Sequence, residues 1–452
     1  MQGFYRLLSL CLCIGPFLCP CALTAQGQFV LSGEIRERGF YSHGYEKVLG
    51  PRERGVFWVG QRTRLGFEYE NKDIGFFVQL EDGRVWGEAE GGRSYGFGIA
   101  QAWFHARFAQ RFEIKLGRMP LVYENGRYMA YSGWDECGNP HDALKLRYQS
   151  LDGNTQAELS GSVSNNSESR ILNPYGTDNY YKYLLVAYAS RTFAPDFRWS
   201  LLSVTDFQEK HFEAFTDSSQ SATETKVDPS RIFARSALGT YLDICPRRKV
   251  SALVYAYGQF GKDSYGRNVL AGMASAIVTC KVHPLFEIKA AYEYVSGNKH
   301  PEEDLPVNAT DHAFDRFMGS SHSFLGIMDL FNCSGRDDLT LGAGYHQPYL
   351  TFTCFPAKDH TLSLNARYFW TADTPEPGLS NDLGLEMALT YKYKIRPDLT
   401  LDFGYAIHSR TRTLETLSGI EPGESKFPHF GYVMIAYKPI IFNSANHPKK
   451  DR

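Results

Sequence analysis

The feature that most limits what this chain can fold into is a sorting of its connections by length. After Gln26 the sequence parses into about eighteen segments, each about eight to twelve residues long, the length a strand needs to cross a bilayer at a tilt. Connections near Glu70, Ala109, Ser150, Thr192, Cys245, Val282, Phe355 and Lys394 are short. Those over 39–55, 84–98, 118–142, 164–179, 208–229, 296–348, 371–381 and 409–429 are generally long, and only the one near Lys262 breaks the order. A soluble β-sandwich has no reason to sort loops by parity. A transmembrane barrel does, with turns at one rim and loops at the other.

Within the segments the side chains alternate with period two, as strands between unlike environments require. Phe112, Ile114 and Leu116 oppose Glu113 and Lys115; Leu144, Leu146 and Tyr148 oppose Lys145 and Arg147. One set of faces carries no charge: Phe286, Ile288, Ala290, Tyr292 and Tyr294; Leu362, Leu364, Ala366 and Tyr368; Leu383, Leu385, Met387, Leu389, Tyr391 and Tyr393. Hydrocarbon demands this, since a charge at mid-depth costs about 2 to 4 kcal/mol. The opposite faces hold Arg62, Arg64, Arg107, Lys115, Lys145, Arg147, Lys289, Arg367 and Lys392 among Glu113, Glu158, Glu287, Glu293, Glu386 and Asp402. A dry core would lose several kcal/mol per ion on burying them; a wet lumen would not. Tyr69, Tyr148, Tyr393 and Tyr437 gather at the short-turn rim and Tyr292, Tyr294 and Tyr368 toward the other, as two aromatic girdles. Leu364, Leu385 and Leu401 are therefore expected to face lipid, and Arg367, Glu386 and Asp402 the lumen.

Residues 1–25 read as a secretory signal peptide: Arg6, the apolar run Leu7 to Leu18, then small residues around Ala22 to Ala25. The barrel is expected over 26–442, with 296–348 folding inward as a partial plug because its apolar MGSSHSFLGIMDLF is hard to leave in water. A tail covers 443–452. Val433, Ile435 and Tyr437 resemble the closing strand read by the barrel-assembly machinery. Because a bacterial barrel starts in the periplasm and its first connection is long, the long loops are expected to be extracellular.

Of the nine cysteines, Cys137, Cys245, Cys280, Cys333 and Cys354 remain after the signal, odd in number and without CxxC spacing, which argues against a disulfide framework or a zinc site. A net charge of −2 gives no global field for nucleic acid. The histidines show no HExxH spacing, so neither metal nor cofactor is expected. A GxSxG match, Gly92 to Gly96, sits in a polar loop without a nucleophile elbow's strand and helix. His322 and Asp329 beside Ser320 and Ser321 leave a rim lipid hydrolase as one alternative, and a secreted sugar-binding β-protein as another.

Several stretches carry a resemblance: Arg62-Thr63-Arg64-Leu65-Gly66, Glu81-Asp82-Gly83-Arg84-Val85-Trp86-Gly87, Leu116-Gly117-Arg118-Met119-Pro120, Tyr123 to Arg127, and Asp142-Ala143-Leu144-Lys145-Leu146. The chain resembles the alginate-export-type outer-membrane porins. Ser296-Gly297-Asn298, Phe314 to Gly319 and His322 to Asp329 are similar to distant members found in Bacteroidetes. Met119 stands where the family usually has glutamine. The resemblance implies a monomeric all-β, antiparallel barrel of about eighteen strands in the outer membrane of a Gram-negative bacterium. It also implies passage of an anionic solute, with alginate or another acidic polysaccharide as the named cargo. Guanidinium forks match carboxylates and stay charged at any pH, so Arg62, Arg64, Arg84, Arg118, Arg127 and Arg147, on lumen or rim positions of the first third, are the candidate solute pathway. The competing reading is that they brace the barrel by pairing with Glu68, Glu81, Asp82, Glu113 and Asp142, which leaves a general or structural barrel without anion selectivity.

Overall fold

The computed structural model describes residues 27–446 except 89–95, 132, 165–180, 216–222, 300–308, 321, 323, 332–338 and 341. The expected signal peptide, Ser94, Ser321, Cys333 and the end of the tail lie outside these residues.

The strands are β1 (Gln28–His43), β2 (Val56–Glu70), β3 (Ile74–Val85), β4 (Phe97–Phe108), β5 (Phe112–Met119), β6 (His141–Gln149) and β7 (Thr155–Val163). Then come β8 (Tyr183–Ala194), β9 (Phe197–Phe215), β10 (Thr223–Ile244), β11 (Val250–Lys262), β12 (Asn268–His283), β13 (Phe286–Val295) and the two-residue β14 (Thr310–Asp311). β15 (Tyr345–Cys354), β16 (His360–Thr371), β17 (Asp382–Arg396), β18 (Leu399–His408), β19 (His429–Tyr437) and the four-residue β20 (Ile440–Asn443) complete the set. All twenty join one sheet. β14 is a two-residue segment that runs parallel to β12 beyond the end of β13, and β20 continues β19 along β1, so eighteen antiparallel strands form the wall among the described residues. β1 pairs with β2 on one edge and β19 on the other, which closes the barrel and leaves no long free edge.

The wall is inside-out relative to a soluble protein. Leu144, Leu159, Leu185, Leu238, Leu350, Leu364 and Leu389 are exposed on the outward face, while Arg62, Glu293 and Glu386 are buried on the inward one. Three boundaries differ from the sequence-based expectation. Residues 208–215 and 223–228 of the stretch 208–229, expected as loop, instead extend the pairing of β9 with β10, and Pro229, which has no N–H for the ladder, falls in a bulge between Asp228 and Ile232. The closing strand does not stop at Pro439: its carbonyl accepts from Gly33 N at 2.9 Å, carrying the ladder on to Asn443. In β17 the register slips between Phe369 and Trp370, opposite Gly384 and Asp382. The bulge turns Leu383 inward, where it is fully buried, instead of toward lipid as expected; Leu385 keeps its outward position opposite Tyr368.

Orientation is open to a direct check. With the long loops outside, a cysteine placed at exposed Glu421, in the β18–β19 connection, should react with an impermeant thiol reagent on whole cells. One at Asp398, in the β17–β18 turn, should react only after the membrane is breached. Labelling in the reverse order would invert the barrel.

Candidate functional site

Two long connections enter the lumen. The first, 120–140, leaves β5 and returns at β6; the second, 296–344, joins β13 to β15. Leu121, Tyr128 and Met129 from one meet Phe317, Leu325, Met328 and Phe331 from the other in a fully or nearly fully buried apolar core. This is why an apolar run can sit inside a polar lumen: the two loops hide each other's side chains from water. Their backbones join as well, Ala130 N donating to Met318 O at 3.0 Å and Ser320 N to Gly126 O at 2.9 Å. Gly319 lies so close to the Arg127 carbonyl that a Cβ would overlap it.

Charged clamps fix the loops to the wall. Glu124 takes Arg198 at 2.8 and 2.9 Å and the Tyr188 hydroxyl at 2.6 Å. Arg127 crosses the lumen to β13, donating to both oxygens of Glu293 at 3.0 and 2.8 Å and to the Tyr345 hydroxyl. Burial alone would lower its pKa, but the Glu293 carboxylate outweighs that and holds the guanidinium above its ordinary value. Glu136 receives Arg36 and Arg38 at 2.6 and 2.7 Å, and Asp315 receives Arg235 at 2.6 Å. In the second loop the Phe324 carbonyl accepts from Arg367 and Gln347 at 2.6 and 2.8 Å, and Glu386 accepts from Ile327 N at 2.8 Å. Gly326 rests on that carboxylate at φ +92°, a backbone region that favours glycine.

The six arginines singled out from the sequence fall into four groups. Arg62 and Arg64 face the lumen but are consumed there: Arg62 chelates Glu34 and the Asp135 carbonyl, and Arg64 pairs with Glu81. Arg127 is a loop clamp. Arg84 and Arg118 are not lumen residues, which corrects the expected pathway. Arg84 binds Asp82 at 2.6 Å opposite Gln61 and Thr63, on the outward parity of Leu65, and Arg118 grips Asp142 at 2.9 and 2.8 Å on the outward parity of Leu116 and Leu144. Arg147 alone stands in a group with cations in excess. Lys115 and Lys145 are opposed in register, and Lys145 and Arg147 share one carboxylate, Glu158, at 3.0 and 3.6 Å. Nearby Glu113 is occupied by His105 and Arg107, and the Lys115 ammonium lies 3.6 Å from the Trp103 ring centroid. Both lysines were legible as lumen-facing from the alternation; their concentration beside Arg147 needed the register.

A cavity of about 630 Å³ lies between the two loops, lined by Asn125, Tyr131, Trp134, Cys137, Arg316 and Phe324 among others. Burial, then Glu81, push the Cys137 thiol up to about 11, so it stands there as a neutral group. Cys245, Cys280 and Cys354 are also free thiols. His322 Nδ1 donates to the Asp329 carboxylate at 2.6 Å, but its ring is stacked on Trp134 at 3.5 Å, a packing contact between the loops. No group of three or more His, Cys, Asp or Glu side chains is placed to hold a metal among the described residues.

No family model matches the chain, and no curated protein matches it either. Solved structures do. Acinetobacter baumannii OccAB4 is similar with a TM-score of 0.60 at 9% identity, covering 91% of this chain and 98% of that one. Pseudomonas aeruginosa OccK2 (OpdF), in complex with glucuronate, gives 0.59 at 10%, covering 92% and 98%. Pseudomonas aeruginosa OpdK with vanillate gives 0.57 at 10%, covering 91% and 98%. The likeness is one of fold: a closed eighteen-strand antiparallel barrel, which fits a Gram-negative outer-membrane location. Nothing in the comparisons supports the alginate-export resemblance.

Proposed function

We propose that the protein is a monomeric outer-membrane channel for small anionic solutes, placed in the membrane by the barrel-assembly machinery. The observation that carries the reading is the cation excess of Lys115, Lys145 and Arg147 around one carboxylate on the lumen wall. In a narrow passage with low-dielectric walls such a group raises the local concentration of anions. The loop core across the lumen favours small carboxylates over a polysaccharide chain, and glucuronate and vanillate in two similar barrels are anions of that size. Alginate export therefore gives way to passage of single organic acids.

In a planar bilayer under a potassium chloride gradient, the reversal potential should show chloride preferred over potassium. Lys115→Gln with Lys145→Gln should bring the permeability ratio to about one, because lumen changes tune selectivity without touching the lipid face. Arg62→Gln with Glu34→Gln should leave the ratio unchanged, because the two together remove an ion pair of zero net charge. A cation-selective wild type would reject the reading. The same buried loop core favours a second one, a barrel closed at rest, for which no conductance would appear until the loops are released.

A further inference from the structure

We propose that the short-turn rim between the β10–β11 and β12–β13 turns holds the phosphate headgroup of an anionic membrane phospholipid. A cleft of about 680 Å³ there is lined by Arg247, Arg248, Lys249, Lys281, His283 and Phe286, among others. The turn makes it so: Arg248 N donates to Cys245 O at 2.9 Å, and Lys281 N donates to Lys249 O at 2.8 Å, which sets the two lysines side by side on neighbouring strands. Arg248 is occupied by Asp196 at 2.7 and 2.9 Å. That leaves Arg247, Lys249 and Lys281 with Glu287 as the carboxylate in the lining. At two other turns of this rim a cation is paired, Arg107 with Glu70 and Glu113, and Arg396 with Asp398. Three like charges held together attract an anion.

The apolar side of the cleft selects which anion. Phe286 stacks on Phe352 at 5.6 Å, and Phe352, Val250, Val282 and Leu285 are exposed around it; Lys249 and Lys281 follow the inward rows of Ser251 and Thr279, and the cleft, which Phe286 also lines, joins them across the turns to the end of the lipid-facing belt. A soluble phosphate would use the charges and leave the belt unused. A phospholipid uses both, its phosphate at the turns and its chains along Phe286 and Phe352. The inference is independent of what the lumen carries.

The test takes the mature full-length barrel in a neutral detergent, adds phosphatidylglycerol or phosphatidylcholine, and counts retained lipid by native mass spectrometry. Phosphatidylglycerol should remain bound under conditions that strip phosphatidylcholine. Each membrane-proximal cation is worth about fivefold in affinity, so Lys249→Gln with Lys281→Gln should weaken retention about thirtyfold. Arg111→Gln, in the β4–β5 turn, should have no effect. Glycerophosphoglycerol, the headgroup without chains, should not displace the lipid. Equal retention of the two lipids, an unaffected double variant, or displacement by the headgroup alone would overturn the proposal, the last by making the cleft a site for soluble phosphate. Should the double variant lose heat-modifiable migration, Arg247→Gln alone should weaken retention about fivefold, and no change there would overturn it equally.

Discussion

Arg127→Ala should both destabilise the protein and open the lumen. The guanidinium is 1% exposed, as is its partner Glu293 at 2%, and no nearby cation can take its place at that carboxylate without moving. Breaking a buried pair from one side leaves an uncompensated charge, at a cost of about 3 to 5 kcal/mol. Here the cost is relieved by a specific motion. The first inward loop lets go of β13, water reaches Glu293, and the Met129–Met318 contact that ties the two loops is loosened. Single-channel conductance should therefore rise several-fold while heat-modifiable migration persists at a lower unfolding temperature. Arg127→Ala with Glu293→Gln should recover most of the stability and keep the larger conductance, because the stranded charge is gone but the clamp is still missing. A single variant with unaltered conductance would show that the loop stays in place through Glu124 and Glu136 alone.

The second large effect separates the two faces of β17. Leu389 is exposed on the outward parity near the middle of its strand, so Leu389→Arg puts a guanidinium into hydrocarbon at about 2 to 4 kcal/mol and should block folding into vesicles. Alternation alone, which puts Glu386 on the lumen face, implies that Glu386→Arg is tolerated. The structure corrects this: Glu386 is buried, receives Ile327 N and supports Gly326, and an arginine there would meet Arg367 across the strand pair. The barrel should still form, since the lipid face is untouched, but the second loop should be released and trypsin should cut it. Equal folding of both variants would mean the faces are misassigned.

These two residues show where the sequence was sufficient. Which face of β17 meets lipid is a period-two property of a few adjacent side chains, and Leu385, Met387 and Leu389 declare it. The same rule already placed Arg84 with Val78 and Leu80, and Arg118 with Leu116; extending the alternation to the strand ends would have kept both out of the lumen. Leu383 could not be placed so, because a bulge at Gly384 reverses the phase and a bulge is decided by the neighbouring strand.

The chain by itself determined the barrel, its closure near eighteen strands, the sorting of turns from loops and the charge-free belt. Each follows from local alternation and from the price of charge or bare backbone in hydrocarbon. Tertiary structure alone decided what the lumen charges do. Arg127 and Glu293 are 166 positions apart, and Arg62 finds both Glu34 and the carbonyl of Asp135, a residue that arrives on a loop. An ion pair depends on distance in space, to which alternation along a strand is blind. So the sequence could show arginines gathered in the first third of the chain, and only the fold could show that Arg62 and Arg127 join loops to the wall and that Arg84 and Arg118 pair on its outward side, leaving the excess charge on Lys115, Lys145 and Arg147.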